Sequence, residues 1–133
     1  MAAETMLLYR PVGLAEMELI LNADSPGFPP RLPQQPIFYP VLTLDYAQQI
    51  AERWNAGDPN SGYAGFVTRF GVDLAYASRY AEHVVGTSIH RELWVPAEEL
   101  VEFNRHLRSP IELIAAYYGD RYSGPVPKPY QLR

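Results

Sequence analysis

The stretch from residue 22 to residue 36 constrains the fold more than any other part of this sequence. It contains five prolines and a glycine, at positions 26, 29, 30, 33, 36 and 27. Because proline has no backbone N–H and a fixed φ angle, neither a helix nor a strand ladder runs through most of this stretch. Connections of this length without regular structure are usually binding loops, lids or disordered segments. We therefore predict a proline-rich loop over residues 24–36.

The residues before the loop predict one strand and one helix. Residues 5–10, TMLLYR, form an apolar run that ends at Pro11 and Gly13, which is typical of a short strand. A helical spacing follows in Leu14, Met17, Ile20 and Leu21. Glu16 and Glu18 lie off this apolar stripe, so both are predicted to face water.

The residues after the loop predict a longer series of short elements. In chain order they are a strand at 36–42, a helix from a Thr43 cap to about Asn55 with Trp54 in its apolar stripe, a strand at 63–72, a helical turn capped by Asp73, a strand at 90–95, a helix at about 96–107 and a strand from 110. This order predicts one α+β or α/β domain over residues 1–118. The alternate prolines of residues 119–133 predict an extended or disordered tail.

Composition and missing motifs exclude several classes of protein. The chain has 133 residues, about one domain, and contains no cysteine, so disulfides and thiolate metal sites are excluded. A net charge of −4 disfavours a nucleic-acid binder. We find no membrane-span or signal pattern and no glycine-rich dinucleotide, phosphate-loop or G-x-S-x-G motif. The histidines lack zinc-site spacing. We expect a cytoplasmic protein without a metal or a membrane partner.

Residues 90–100, HRELWVPAEEL, place a carboxylate inside a predicted strand. Period-2 alternation sends His90, Glu92 and Trp94 to one face of this strand. A buried carboxylate costs several kcal/mol or more unless polar partners are supplied. Glu92 is therefore either part of a site or exposed on a solvent face beside Arg91 or His90.

Three predicted strand segments together carry a set of polar side chains. They contribute Tyr9 with Arg10, Tyr39, and His90 with Glu92. Arginine suits a phosphate or carboxylate, tyrosine offers a stacking face, and a carboxylate stabilises positive charge that develops on a sugar carbon. Such a set can bind a nucleotide and cleave it at the ribose. The alternatives are that Arg10 ends a solvated strand and that Tyr39 packs in a core or at a sheet edge.

Four segments resemble a known group of proteins. They are LYRPVGLAEMELI, QQPIFYPVLTLDYAQQIAERWN, GYAGFVTRFGVD and HRELWVPAEELVEFN, which cover most of residues 7–115. The segments resemble short bacterial proteins labelled ADP-ribosylation/crystallin J1, with ELWVPAEEL the most specific block. The ADP-ribosylglycohydrolases that share the label are larger helical enzymes with two magnesium ions and clustered aspartates, and this chain has no such cluster. Its order of elements is instead similar to the ADP-ribosyltransferase fold, which implies a mixed split sheet, about three helices and NAD as the substrate.

The resemblance implies a role for each candidate residue. Arg10, with Tyr9 beside it, would hold the adenosine ribose or the phosphates of NAD. Tyr39 would border or stack on the nicotinamide, and Glu92 would engage the nicotinamide ribose and stabilise its oxocarbenium character. His90 would stand where related transferases carry a residue that helps the acceptor.

Three functional hypotheses follow from the sequence. The first is an ADP-ribosyltransferase-like enzyme that binds NAD or a related nucleotide and modifies an acceptor such as a protein. The second is a noncatalytic module that binds a protein partner or a nucleotide through the proline-rich loop. The third, an ADP-ribose hydrolase, rests on the family label alone.

Overall fold

A computed structural model describes residues 4–23 and 27–124. Short helices and antiparallel strands are interspersed along this part of the chain. The strands of this described part are β1 (Thr5–Val12), β2 (Ile37–Phe38), β3 (Ala64–Asp73), β4 (Glu82–Val84), β5 (Arg91–Leu93), β6 (Val95–Pro96) and β7 (Glu112–Tyr118). Its α-helices are α1 (Leu14–Asn22), α2 (Leu44–Arg53), α3 (Leu74–Ala77) and α4 (Leu100–Arg105). The predicted α+β class is confirmed.

The strands form three antiparallel groups, β1-β3-β7, β2-β6 and β4-β5. The resemblance implied a mixed split sheet, but every strand pairing within the described residues is antiparallel. The strand predicted at 36–42 contributes only β2, because Pro40 lacks the N–H that a continuous ladder needs. Likeness to the ADP-ribosyltransferase fold stays a prediction.

Val41 joins the central sheet to the β4-β5 hairpin. Its N–H donates to the Tyr9 carbonyl at 2.8 Å, and its own carbonyl accepts from the Tyr9 N–H at 2.9 Å. On its other side Val41 forms an antiparallel bridge with Glu92, and the Leu93 N–H donates to the Pro40 carbonyl at 2.9 Å. This single bridging residue brings β1, the segment after β2 and β5 side by side.

Helix α2 packs closely on the central sheet because the contact is made of small residues. Ala47 and Ala51 on the helix are fully buried, as is Val67 on β3. A Cβ on Gly65 of β3 would collide with the backbone of Ala51, so glycine is required at this crossing. On the other face a larger core contains four phenylalanines, Phe28, Phe38, Phe70 and Phe103.

Local signals located two helix starts correctly. The Thr43 hydroxyl accepts from the Tyr46 N–H at 3.2 Å at the start of α2. The Asp73 carboxylate accepts from the Tyr76 N–H at 3.0 Å and caps α3. Both are side-chain oxygens that satisfy a free N–H in the first turn, as the sequence predicted.

Other boundaries were wrong. The strand predicted at 90–95 is interrupted at Trp94 and forms β5 and β6, which pair with different partners. Pro96 lies in β6 rather than in a helix, and the helix predicted from 96 begins as a 3-10 turn at 97–99 before α4. Strand β4 was not predicted.

The described part of the proline-rich loop is tied to the core through Phe28. The Phe28 ring lies 5.0 Å from the Phe38 ring and 4.8 Å from the Phe70 ring, between centroids. The Asn104 side chain accepts from the Phe28 N–H at 2.9 Å and donates to its carbonyl at 3.0 Å. Residues 27–36 contain no strand or helix, as predicted, yet this anchor fixes where the following arginine, Arg31, lies.

Two predicted segments fall partly outside the described residues. These are residues 24–26 of the loop and residues 125–133 of the tail. The first part of the tail turns after Gly119, whose carbonyl accepts from the Tyr122 N–H at 3.0 Å, and the Tyr122 ring contacts Tyr118. Within residues 4–23 and 27–124, no helix is both long and apolar enough to cross a membrane.

Candidate functional site

A cleft of about 800 Å³ opens between α1, the proline-rich loop and the end of α2. This volume lies in the range of about 300–1,000 Å³ that is typical of small-molecule sites. The side chains that matter for its chemistry are Arg10, Glu16, Arg31, Tyr39, Glu92 and Trp94. The cleft therefore brings together three of the five residues that the sequence put forward, one from each predicted strand segment.

Glu92 is a buried carboxylate with two hydrogen-bond donors. Its residue is only 9% exposed, so the expected alternative of a solvent-facing side chain is wrong. The Tyr46 hydroxyl donates to Oε2 at 3.0 Å, and the Trp94 Nε1–H donates to Oε1 at 2.7 Å. These bonds offset part of the cost of burial. Each carboxylate oxygen keeps a further lone pair, so Glu92 can still accept from a ligand.

The Tyr46 hydroxyl is expected to ionise only at unusually high pH. Burial, the hydrogen bond to Glu92 and the negative charge of Glu92 raise the pKa of Tyr46 to about 12. Folding therefore favours the neutral phenol, and this contribution to stability is present below the ordinary pKa of about 10 and is lost as the pH rises through about 12.

A difference absorbance titration of phenolate formation tests this expectation. Compared with the wild type, Tyr46→Phe should lack one tyrosine that ionises near pH 12, while circular dichroism shows that both proteins remain folded. Glu92→Gln should shift the same ionisation to lower pH because it removes the neighbouring charge. If the titration of Tyr46→Phe instead lacked a tyrosine that ionises near pH 10, the expectation would be contradicted.

Arg10 is held by contacts with three other residues. Its Nε and Nη2 donate to the two Glu16 carboxylate oxygens at 2.7 and 2.9 Å, and Nη1 donates to the Tyr39 carbonyl at 3.3 Å. The guanidinium carbon lies 4.6 Å from the centre of the Phe38 ring. Two expectations are therefore wrong: Arg10 is buried rather than solvated, and Glu16 pairs with it rather than facing water.

Arg31 reaches the same carboxylate from the proline-rich loop. Its Nη1 lies 3.7 Å from Glu16 Oε1, which is too long for a hydrogen bond. Its Nε is buried and has no hydrogen-bond partner among the described residues. Burial and the positive charge of Arg10 lower the pKa of Arg31, although Glu16 acts in the opposite direction. Two guanidinium groups thus share one carboxylate.

Three exposed aromatic side chains also line the cleft. Tyr39 is 40% exposed, Trp94 is 42% exposed and Trp54 is 68% exposed. Tyr39 is thus not a core residue, which was one of the alternatives for it. The inward position expected for Trp54 is wrong, because α2 ends at Arg53 and Trp54 follows as its C-terminal cap. Exposed rings in a concave site offer stacking surfaces for flat ligand groups.

Tyr9 and His90 do not line the described cleft. Tyr9 packs in the apolar cluster beneath α2. In His90, Nδ1 accepts from the Thr87 N–H at 3.0 Å, so Nε2 carries the proton and donates to Gln49 Oε1 at 2.9 Å. Both ring nitrogens of His90 are engaged, which does not favour the acceptor role predicted for it.

Sequence reasoning missed two partners of the site for different reasons. Tyr46 lies 46 residues from Glu92, and no local pattern connects them. Glu16 was predicted to face water because it lies off the apolar stripe of α1. That criterion does not detect a buried ion pair. Trp94, in contrast, was placed on the face of Glu92 by period-2 spacing, and its hydrogen bond agrees with that spacing.

No group of three or more histidine, aspartate or glutamate side chains that could hold a metal ion occurs in the described part of the chain. No family model, curated protein or solved structure matches the chain. The similarity to proteins labelled ADP-ribosylation/crystallin J1 stays a prediction.

Proposed function

We propose that the cleft binds NAD and that the protein is an ADP-ribosyltransferase-like enzyme. It would cleave the bond between nicotinamide and ribose and transfer ADP-ribose to an acceptor. The observation that supports this most is that a buried, hydrogen-bonded carboxylate, Glu92, shares one cleft with the arginines at positions 10 and 31. The three come from β5, β1 and the proline-rich loop, so only the tertiary fold brings them together.

The charges of the cleft match those of NAD. NAD carries a negative diphosphate and a positively charged nicotinamide ring. The net positive charge of Arg10, Arg31 and Glu16 complements the diphosphate, and Glu92, which also lines the cleft, complements the ring. This charge distribution supports NAD as the substrate.

The chemistry proposed for Glu92 is electrostatic. The bond between the ribose anomeric carbon and the nicotinamide nitrogen breaks, and its electron pair leaves with nicotinamide, which becomes neutral. The positive charge that develops on the ribose is stabilised by the carboxylate, and more strongly in a water-poor site than in water. The acceptor nucleophile then bonds to the anomeric carbon and gives up its proton to the solvent. Tyr46 and Trp94 hold the carboxylate in place before the reaction.

Release of nicotinamide tests the proposal without knowledge of the acceptor, because water can take the place of the acceptor as the nucleophile. The purified protein is incubated with NAD, and free nicotinamide and ADP-ribose are quantified by chromatography. We expect both products to form in equal amounts, above the rate in buffer and in proportion to the protein concentration. If NAD binds in the cleft and no nicotinamide appears, the enzyme proposal fails and a noncatalytic binder remains.

A second candidate is a noncatalytic module that binds a partner protein through the proline-rich loop. A groove between this loop and α4 favours it, since Leu32 and Val101, which line this groove, are 54% and 62% exposed. This candidate predicts that the protein releases no nicotinamide from NAD and that Leu32→Ser abolishes binding of the partner protein.

A further inference from the structure

The cluster of Arg10, Arg31 and Glu16 carries one more positive charge than negative charge. All three side chains are largely buried, with exposed fractions of 9%, 11% and 21%. Arg10 donates to both carboxylate oxygens at hydrogen-bond distance, whereas Arg31 makes only a long contact of 3.7 Å. A buried cation with so little compensation is costly, and an anion at this position would remove part of that cost.

The other acidic residues that line the cleft do not supply this anion. The Asp58 carboxylate accepts from the Ser61 hydroxyl at 2.9 Å and from the Asn60 N–H at 3.1 Å. Glu92 is engaged by its tyrosine and tryptophan partners. Within the described chain, neither forms an ion pair with Arg31.

The backbone position of Arg31 is set by the loop around it. Phe28, three residues earlier, is anchored in the aromatic core and hydrogen-bonded to Asn104. The prolines at positions 29, 30 and 33 restrict the backbone around Arg31. A guanidinium that is held over a cleft in this way is ready to bind, because little conformational freedom remains to be lost.

We infer that Arg31 forms the anion subsite of the cleft and binds the diphosphate of a nucleotide, with Glu16 as the built-in counter-ion that keeps both arginines in place. The choice of a diphosphate rests on the proposed function, whereas the anion subsite itself rests on the geometry of the cluster. Arginine presents a planar fork that binds phosphate oxygens through two parallel hydrogen bonds. Arg10 stays paired with Glu16 and supports the subsite without binding the ligand.

Calorimetric titration with inorganic pyrophosphate tests the subsite directly. We expect saturable binding to the wild type, and a dissociation constant at least about tenfold larger for Arg31→Gln, because a charge-assisted hydrogen bond is lost. Arg31→Lys keeps the charge but not the planar fork, so its dissociation constant should lie between those of the wild type and Arg31→Gln. The matched control is Arg105→Gln, which changes an exposed arginine on α4 and should bind like the wild type.

Two results would overturn the inference. One is the absence of pyrophosphate binding to the wild type, and the other is an equal dissociation constant for Arg31→Gln and Arg105→Gln. Circular dichroism shows whether each variant folds. If Arg31→Gln does not fold, the dissociation constant of Arg31→Lys is compared with that of the wild type instead. Pyrophosphate binding that depends on Arg31, without any nicotinamide release from NAD, would refute the enzyme proposal alone. Nicotinamide release from NAD that is unaffected by Arg31→Gln would refute the diphosphate subsite alone.

Discussion

Replacing Glu92 with glutamine is expected to lower the rate of nicotinamide release from NAD by about 10²–10³-fold. Glutamine has the same shape but no charge, so it cannot stabilise the positive charge that develops on the ribose. Its amide oxygen can still accept from Trp94, and its amide nitrogen can donate to the Tyr46 hydroxyl, so the fold should persist. The measurement is the initial rate of release at saturating NAD, with the dissociation constant for NAD determined separately.

Glu112→Gln provides the matched control for this comparison. Glu112 lies on β7 and forms an exposed ion pair with Arg69 at 3.4 Å, outside the described lining of the cleft. The same chemical change there should leave the rate unaltered. If Glu92→Gln retained a rate similar to that of Glu112→Gln, Glu92 would have no part in the chemistry.

Replacing Arg10 with alanine is expected to lower the free energy of unfolding by about 3 kcal/mol or more. The change leaves the Glu16 carboxylate without its two short hydrogen bonds, and Arg31 at 3.7 Å compensates only in part. It also removes the guanidinium from the Tyr39 carbonyl and from the Phe38 ring. Chemical denaturation of the wild type and the variant measures the difference.

Two comparisons separate this effect from a general loss of surface charge. Arg69→Ala removes an exposed ion pair on the same sheet and should cost no more than about 1 kcal/mol. Arg10→Leu combined with Glu16→Leu removes both charges and should recover part of the lost stability. An equal cost for Arg10→Ala and Arg69→Ala would contradict a structural role for Arg10. Because Arg10→Ala destabilises the fold, a loss of ligand binding in this variant would not show that Arg10 contacts the ligand.

The sequence predicted those features that depend on neighbouring residues. The Thr43 and Asp73 caps and the loop around Pro29 and Pro33 come from local backbone chemistry, and the structure agrees with them. Strands β2 and β6 have two residues each, so neither is long enough to show an alternating pattern. Their pairing is set by the tertiary fold.

The candidate site was predictable only in part for a related reason. The sequence selected Glu92 because a carboxylate inside a strand requires an explanation, and the structure places it in the cleft. Arg10 was selected as a ligand-binding residue, but its partner Glu16 lies on a helix whose apolar stripe gave no sign of an ion pair. Arg31 became the better anion-binding candidate only when its position over that pair was known.

Calorimetric titration of NAD into the wild-type protein tests the central claim, that this cleft is an NAD site, most directly. The titration requires no acceptor, and Arg31→Gln and Arg105→Gln serve as the paired variants. We predict saturable binding to the wild type and to Arg105→Gln, and binding weakened at least about tenfold in Arg31→Gln. Equal binding by all three proteins would contradict the role of Arg31, and no binding heat at millimolar NAD would contradict the claim.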